Sequence, residues 1–281
     1  MPAKIIDGKK IADKILNEIK SKIKNLKQKP GLAIVLVGDN PASEIYVNFK
    51  EKTCKEVGFY CERYNLDKNT SGYDLLKLIN ELNQKANLHG ILVQLPLPRK
   101  IDEHLIVNAI LPHKDVDGFT PANLGSLLSE KTIIAPATAR AVLHLIESTG
   151  TEIEGKNAVV VGRSVIVGKP TAIMLLEKNA TVEICHSKTK NLSEHAKKAD
   201  ILVVAVGKPK LITKNMVKEG AVVIDVGINR IGNKVVGDVD FDAVREVAGY
   251  ITPVPGGVGP MTIAMLLDNT LKAMEIYQRI K

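Results

Sequence analysis

The sequence has no tryptophan, and aromatic residues make up only 4% of its 281 positions. Its lysines and arginines are scattered among acids rather than interleaved with aromatics, so no nucleic-acid surface is expected. Cysteine is sparse: Cys54, Cys61 and Cys185 are the only three. An odd, sparse count excludes a disulfide framework and reads as reduced thiols in a cytoplasmic protein. No His/Cys/Asp cluster has ligand spacing, so no metal is expected. No apolar run approaches the ~20 residues that a membrane helix needs. The opening Met1 to Gly8 is mixed and carries Asp7, unlike a secretory signal. Low-complexity segments and clear internal repeats are missing as well.

What is there is an ordinary globular composition, 45% hydrophobic and 25% charged, with a formal net charge of +8. A basic surplus of this kind attracts anionic small molecules such as phosphates and polyglutamates. The chain alternates two periodicities. Ile11 to Leu26 places isoleucines four apart, which is helical. Leu32 to Gly38 and Gly90 to Leu95 are nearly unbroken apolar runs, the signature of buried parallel strands. Helices are expected from Pro41 to Val57, from Gly72 to Lys85 and after Asp102, with a strand from Phe59 to Leu66. Further strands are expected at Ala158–Val161, Thr181–Cys185, Ile201–Val206 and Ala221–Val226, with helices starting near Pro170, Ser193 and Thr213. Strand–helix alternation with short connections implies right-handed crossovers and mostly parallel sheets. The expected fold is therefore two α/β domains with a cleft between them, over residues 1–120 and 121–261. The second is Rossmann-like, and a final helix at 262–281 returns to the first.

Gly162-Arg163-Ser164 to Gly168-Lys169-Pro170 follows an apolar strand and opens a helix. A helix N-terminus beside a tight turn accepts a pyrophosphate through backbone N–H groups. The glycine spacing departs from G-x-G-x-x-G, and it also fails as a Walker A loop because Pro170 stands where Ser or Thr is needed. The next strand ends Cys185-His186-Ser187-Lys188 without the acid that would bind a ribose 2′-hydroxyl. Arg163 and Ser187 offer donors to a 2′-phosphate instead, with Lys188 a further charge, so NADP is favoured over NAD. An ordinary polar loop is the competing reading.

Four residues stand out elsewhere. Tyr46 and Lys50 share a helix face at i and i+4. Taken alone, that pair also reads as a solvated lysine above a half-buried tyrosine. Gln94 is a polar residue at the end of an apolar strand, where open α/β sheets place ligands. Asp117 lies in Lys114 to Phe119, a loop too short and too apolar for calcium. Near the C-terminus, Thr252 to Thr262 interleaves three prolines with three glycines, a tightly shaped segment with bare backbone. It reads either as a surface against a flat ligand or as a plain turn.

Together with Val37 to Ser43, Gly90 to Pro98, Asp225 to Asn229 and Gly237 to Asp240, these segments resemble the bifunctional methylenetetrahydrofolate dehydrogenase/cyclohydrolase family. The resemblance runs in order along nearly the whole chain. It implies oxidation of 5,10-methylenetetrahydrofolate by NADP, then hydrolysis of the methenyl product to 10-formyltetrahydrofolate, by a homodimer. Lys50 would be the catalytic lysine, Tyr46 would stack on the folate, and Gln94 would tune Lys50. Asp117 would bind the pterin. Val93, Leu95, Pro255, Gly256, Gly257 and Gly259 would complete the folate site. Gly162, Arg163, Ser164, Ser187 and Ile228 would hold NADP. One motif departs from the family: its Pro-Cys-Thr-Pro-x-Gly is here Pro136-Ala137-Thr138-Ala139-Arg140-Ala141. A different NADP-linked dehydrogenase, of an amino or hydroxy acid, is the runner-up, and a nucleotide-sensing regulator is the non-enzymatic alternative.

Overall fold

The structure, a computed structural model, describes residues 1–129, 132–232 and 234–280. In chain order the elements are β1 (Lys4–Ile5), α1 (Gly8–Ile23), β2 (Gly31–Val37), α2 (Pro41–Val57), β3 (Tyr60–Leu66), α3 (Gly72–Gln84), β4 (Gly90–Val93), α4 (Glu103–Asn108), α5 (Pro121–Leu128) and α6 (Ala137–Glu147). There follow β5 (Asn157–Val161), α7 (Gly168–Glu177), β6 (Thr181–Cys185), α8 (Leu192–Ala196), β7 (Ile201–Val204), β8 (Val222–Asp225), β9 (Asn229–Ile231), β10 (Lys234–Val236), α9 (Phe241–Val244), β11 (Tyr250–Ile251) and α10 (Val258–Ile280). Among the described residues no helix is long and apolar enough to cross a membrane.

Two compact units emerge. One comprises Lys14–Ala137 with Leu266–Lys281; the other comprises Met1–Asp13 with Thr138–Met265. This division departs from the expected 1–120 and 121–261. The first thirteen residues join the later unit because β1 pairs in parallel with β11, Lys4 opposite Tyr250. The change of unit near Ala137 falls at the start of α6, not at residue 120. The altered junction motif lies in the first turns of that helix, with Ala137, Ala139 and Ala141 all buried.

The Lys14–Ala137 unit is built on a three-stranded parallel sheet in the order β3-β2-β4. Every residue of β2 is buried, as a central strand covered on both faces demands. Ala33, Val35 and Val37 share one face with Ile91 and Val93 and meet Leu75, Ile79 and Leu82 of α3. Helix α2 is bounded by strong local signals. The Asn40 side chain accepts from the amides of Ala42 and Ser43, Pro41 occupies the first turn, and Gly58 closes the helix at φ 98°.

The other unit carries a six-stranded parallel sheet, β1-β11-β8-β7-β5-β6, and a separate antiparallel hairpin of β9 and β10. Strand β5 lies between β6 and β7, so successive crossovers leave it in opposite directions. That switch point is where open α/β sheets form a ligand crevice, at the carboxyl ends of the strands. The helix expected near Thr213 is a single 3₁₀ turn, Lys214–Met216.

Candidate active site

In the Lys14–Ala137 unit, α2 and the end of β4 bring two polar side chains together. Lys50 Nζ donates to Gln94 Oε1 at 3.0 Å. Gln94 is held in that orientation because its own amide donates to the Leu95 carbonyl at 2.7 Å. Its oxygen, not its NH₂, therefore faces the amine. Lys50, Gln94 and Asp117 are each half-buried. Burial lowers the Lys50 pKa, and the charge of Asp117 opposes that shift. Burial pushes the Asp117 carboxyl up to about 6, against the pull of Lys50 and with a smaller push from Asp115. Desolvation thus outweighs mutual attraction at both ends, which leaves an amine and an acid that each give up charge easily. Tyr46 stands one turn before Lys50 on α2, also half-buried. Val93 ends β4, and Leu95 follows Gln94 as the chain turns away from the sheet.

Asp117 is positioned by neighbours that sequence reasoning passed over. Asp115 is buried, and its carboxylate accepts from the amides of Gly118 at 2.9 Å and Thr120 at 2.7 Å and from the Asn123 side chain at 2.9 Å. Gly118 sits at φ 76°, and a Cβ there would meet the Pro136 nitrogen at 2.7 Å, so only glycine fits the turn. Asn269 of α10, fully buried, donates to the carbonyls of Val116 at 2.8 Å and Ala135 at 2.9 Å. That clamp spans 153 residues of sequence, and no local pattern announces it.

In the other unit, the turn after β5 forms a tight cradle at the start of α7. Gly162 has φ 139°, and a Cβ there would meet the Ala205 carbonyl oxygen at 2.4 Å. A Cβ on Gly168 would meet the Gly162 carbonyl oxygen at 2.2 Å. Both glycines let backbone press on backbone at the helix start. Pro170 is the third residue of α7 rather than the expected first, still within the first turn, where its missing N–H costs no intrahelical bond. Ser164 Oγ accepts from the amides of Val167 at 3.1 Å and Gly168 at 3.3 Å, so it braces the cradle. A cavity of about 370 Å³ is lined by Gly162, Arg163, His186, Ser187, Thr189 and Lys208, with apolar walls that include Val206 and Leu211. Gly162, Arg163 and Ser187 are thereby brought together, whereas Ser164 and Ile228 lie outside this lining. His186, Thr189 and Lys208 were not singled out from the sequence. His186 stood inside the motif that was read and Thr189 next to it, and Lys208 comes from beyond β7.

The loop expected to line a flat ligand also belongs to this unit. Gly256 has φ 107°, its carbonyl accepts from the Lys9 amide at 2.9 Å, and a Cβ on Gly8 would meet the Gly257 carbonyl oxygen at 2.0 Å. Gly259 is not in the loop but in the first turn of α10. Ile228 is exposed at the start of the segment between β8 and β10, whose ends are tied by two buried aspartates. Asp225 accepts from the amides of Gly227, Asp238 and Val239, each at 2.9 Å. Asp238 accepts from the amides of Val206 at 2.7 Å and Gly207 at 2.9 Å and from the Asn229 side chain at 2.8 Å.

Comparison with known proteins matches both halves of the chain. Residues 6–117 match the catalytic domain of tetrahydrofolate dehydrogenase/cyclohydrolase, and residues 136–278 match its NAD(P)-binding domain. The bifunctional protein FolD of Moorella thermoacetica is 57% identical, over 97% of this chain and 99% of its own. A crystal structure of FolD from Campylobacter jejuni superposes with a TM-score of 0.95 at 49% identity, covering 98% of this chain and 99% of that one. The Trypanosoma brucei FolD structure, complexed with NADP cofactor and inhibitor, gives a TM-score of 0.96 at 38% identity, covering 99% of each chain.

Proposed function

The chain belongs to the tetrahydrofolate dehydrogenase/cyclohydrolase family, and from that premise we infer that it is a bifunctional enzyme of one-carbon folate metabolism. It oxidises 5,10-methylenetetrahydrofolate to the methenyl compound with NADP⁺ as hydride acceptor, then hydrolyses that product to 10-formyltetrahydrofolate. The reading as a dehydrogenase of an amino or hydroxy acid is set aside, because both halves match this one family in order.

The residue roles are our assignment. The observation that carries them is the Lys50–Gln94 hydrogen bond at 3.0 Å beside an acid of raised pKa. Hydride loss leaves a cation on the folate. An ammonium about 4 Å from that cation would be repelled by about 4 kcal/mol at an effective dielectric of ~20. That equals roughly three pKa units of downward pressure, added to the lowering that burial already imposes on Lys50. Lys50 is then the neutral general base for the attacking water, and Gln94 orients it without adding charge. Asp117 accepts hydrogen bonds from the pterin, Tyr46 packs on the folate, and Val93, Leu95 and the Pro255–Gly257 loop with Gly259 supply further folate contacts. In the 370 Å³ cavity, Arg163, Ser187 and Lys208 meet the 2′-phosphate end of the cofactor, at a strand end that carries no acid to repel it. Ser164 keeps the pyrophosphate cradle in shape, and Ile228 faces the nicotinamide. Assembly as a homodimer in the cytoplasm is part of the same proposal, and sedimentation checks the dimer.

The direct test supplies methylenetetrahydrofolate with NADP⁺ or NAD⁺ and records reduced cofactor and methenyl absorbance. Turnover with NADP⁺ well above that with NAD⁺ is expected. A protein that binds NADP⁺ but never reduces it would defeat the assignment.

A further inference from the structure

Outside the site above, three different metal-ligating side chains converge on the edge of the six-stranded sheet. Glu183 and Cys185 are two apart on β6 and so face the same side. His195, on α8, comes down on that side. One ligand atom from each of the three lies within 4.8 Å of the others, the one such group of three among the described residues. The His195 ring already reaches the Glu183 carboxylate through Nδ1. The Cys185 sulfur sits behind this pair, fully buried with Ala196 of α8 and the core of the sheet. We propose that Glu183, Cys185 and His195 form a binding site for a zinc-class divalent ion, which staples α8 to the edge strand.

The chemistry of the set favours such an ion. Thiolate, imidazole and carboxylate are the three side-chain types that zinc takes, at about 2.0–2.3 Å. Donors in a tetrahedral shell around it stand roughly 3.5 Å apart, so the present spread closes by small rotamer adjustments. A thiolate and a carboxylate exactly offset the +2 charge, so a neutral site forms at a place already half withdrawn from water. Access is open. The Glu183 and His195 side chains keep 44% and 32% of their surface, and Glu183 also lines a cavity of about 390 Å³ on the same side. Water entering from there completes a fourth position. Lys197 and Lys198 line the same cavity and repel a bare cation, so affinity depends on the thiol giving up its proton to solvent as the metal–sulfur bond forms. The spacing hid the site in the sequence: two ligands come from one strand and the third from a helix ten residues on, with no C-x-x-C pattern.

The test uses the full chain, freed of metal, titrated with Co²⁺ and then Zn²⁺. Expected are a near-ultraviolet thiolate-to-cobalt band, its loss when zinc displaces cobalt, about one proton released per ion, and a higher thermal midpoint with zinc. Cys185→Ser should remove the band. His195→Gln, on a partly exposed helix position where misfolding is not a concern, should weaken binding at least tenfold and cancel the thermal shift. Cys54→Ala with Cys61→Ala should leave all of it intact. Absence of the band in the wild type, or equal zinc affinity in His195→Gln, would overturn the proposal.

Discussion

Replacing Gln94 by glutamate puts a charge where the structure now has a neutral acceptor. The carboxylate oxygen would stand 3.0 Å from Lys50 Nζ, as the amide oxygen does now. At that separation the attraction is about 5.5 kcal/mol at an effective dielectric of ~20, or about four pKa units. Both groups are half-buried, so solvent screens part of this, and the new carboxyl resists ionisation there as Asp117 does. An upward shift of about two units for Lys50 is the expected outcome. A general base loses rate tenfold for each unit by which its pKa moves above the working pH. Hydrolysis of supplied methenyltetrahydrofolate at neutral pH should therefore fall up to about a hundredfold and recover as pH is raised. Gln94→Met gives the opposite sign. It removes an acceptor from the ammonium and adds no charge, so the profile should move toward lower pH. The assay is the pH–rate profile of hydrolysis for the three proteins, with thermal unfolding to show that each is folded. Superimposable profiles for Gln94→Glu and wild type would refute Lys50 as the base.

Other perturbations separate the parts. Gly162→Ala forces a Cβ onto the Ala205 carbonyl at 2.4 Å, so the NADP⁺ KM should rise at least about tenfold while hydrolysis of supplied methenyltetrahydrofolate persists. Asn269→Leu strips partners from the buried carbonyls of Val116 and Ala135; a stability loss of about 2–4 kcal/mol by urea titration and a raised folate KM are expected. The Asp117 pKa is raised in the folded state to about 6, so this group favours folding most below its ordinary pKa near 3.8, and the contribution is lost as pH rises through about 6. The urea midpoint of wild type should accordingly fall relative to Asp117→Asn between pH 4 and 7. A constant difference would contradict the assigned shift.

What could be read from the sequence was set by range. The bounds of α2 follow from Asn40, Pro41 and Gly58, three residues that act on their nearest neighbours. The run Leu32 to Gly38 read as a covered strand, found at Gly31–Val37, and the strand read to Leu95 ends at Val93, which leaves Gln94 just beyond it. The meeting of Lys50 with Gln94 is 44 residues long in sequence, and the family resemblance suggested it before any geometry did. Asn269 was invisible because its partners lie 153 and 134 residues away and its own surroundings look like ordinary helix. Ser164 was expected to hold NADP only through the family resemblance, and the bonds its oxygen accepts from the amides of Val167 and Gly168 had no signal in the sequence. Lys4 and Ile5 carried no signal at all, since a two-residue strand has no period to detect.

The place of β1 bears on how the protein is made. Its partner residues, Tyr250 and Ile251, are translated long after it, so the β1–β11 pair cannot form until they have emerged. The Lys14–Ala137 unit waits longer still, for Leu266 onward and the amide of Asn269. Domains usually fold as they leave the ribosome, first one and then the next. Here neither unit is complete until its late segment has emerged, and nascent chains stalled short of residue 250 should be more protease-sensitive than the full chain.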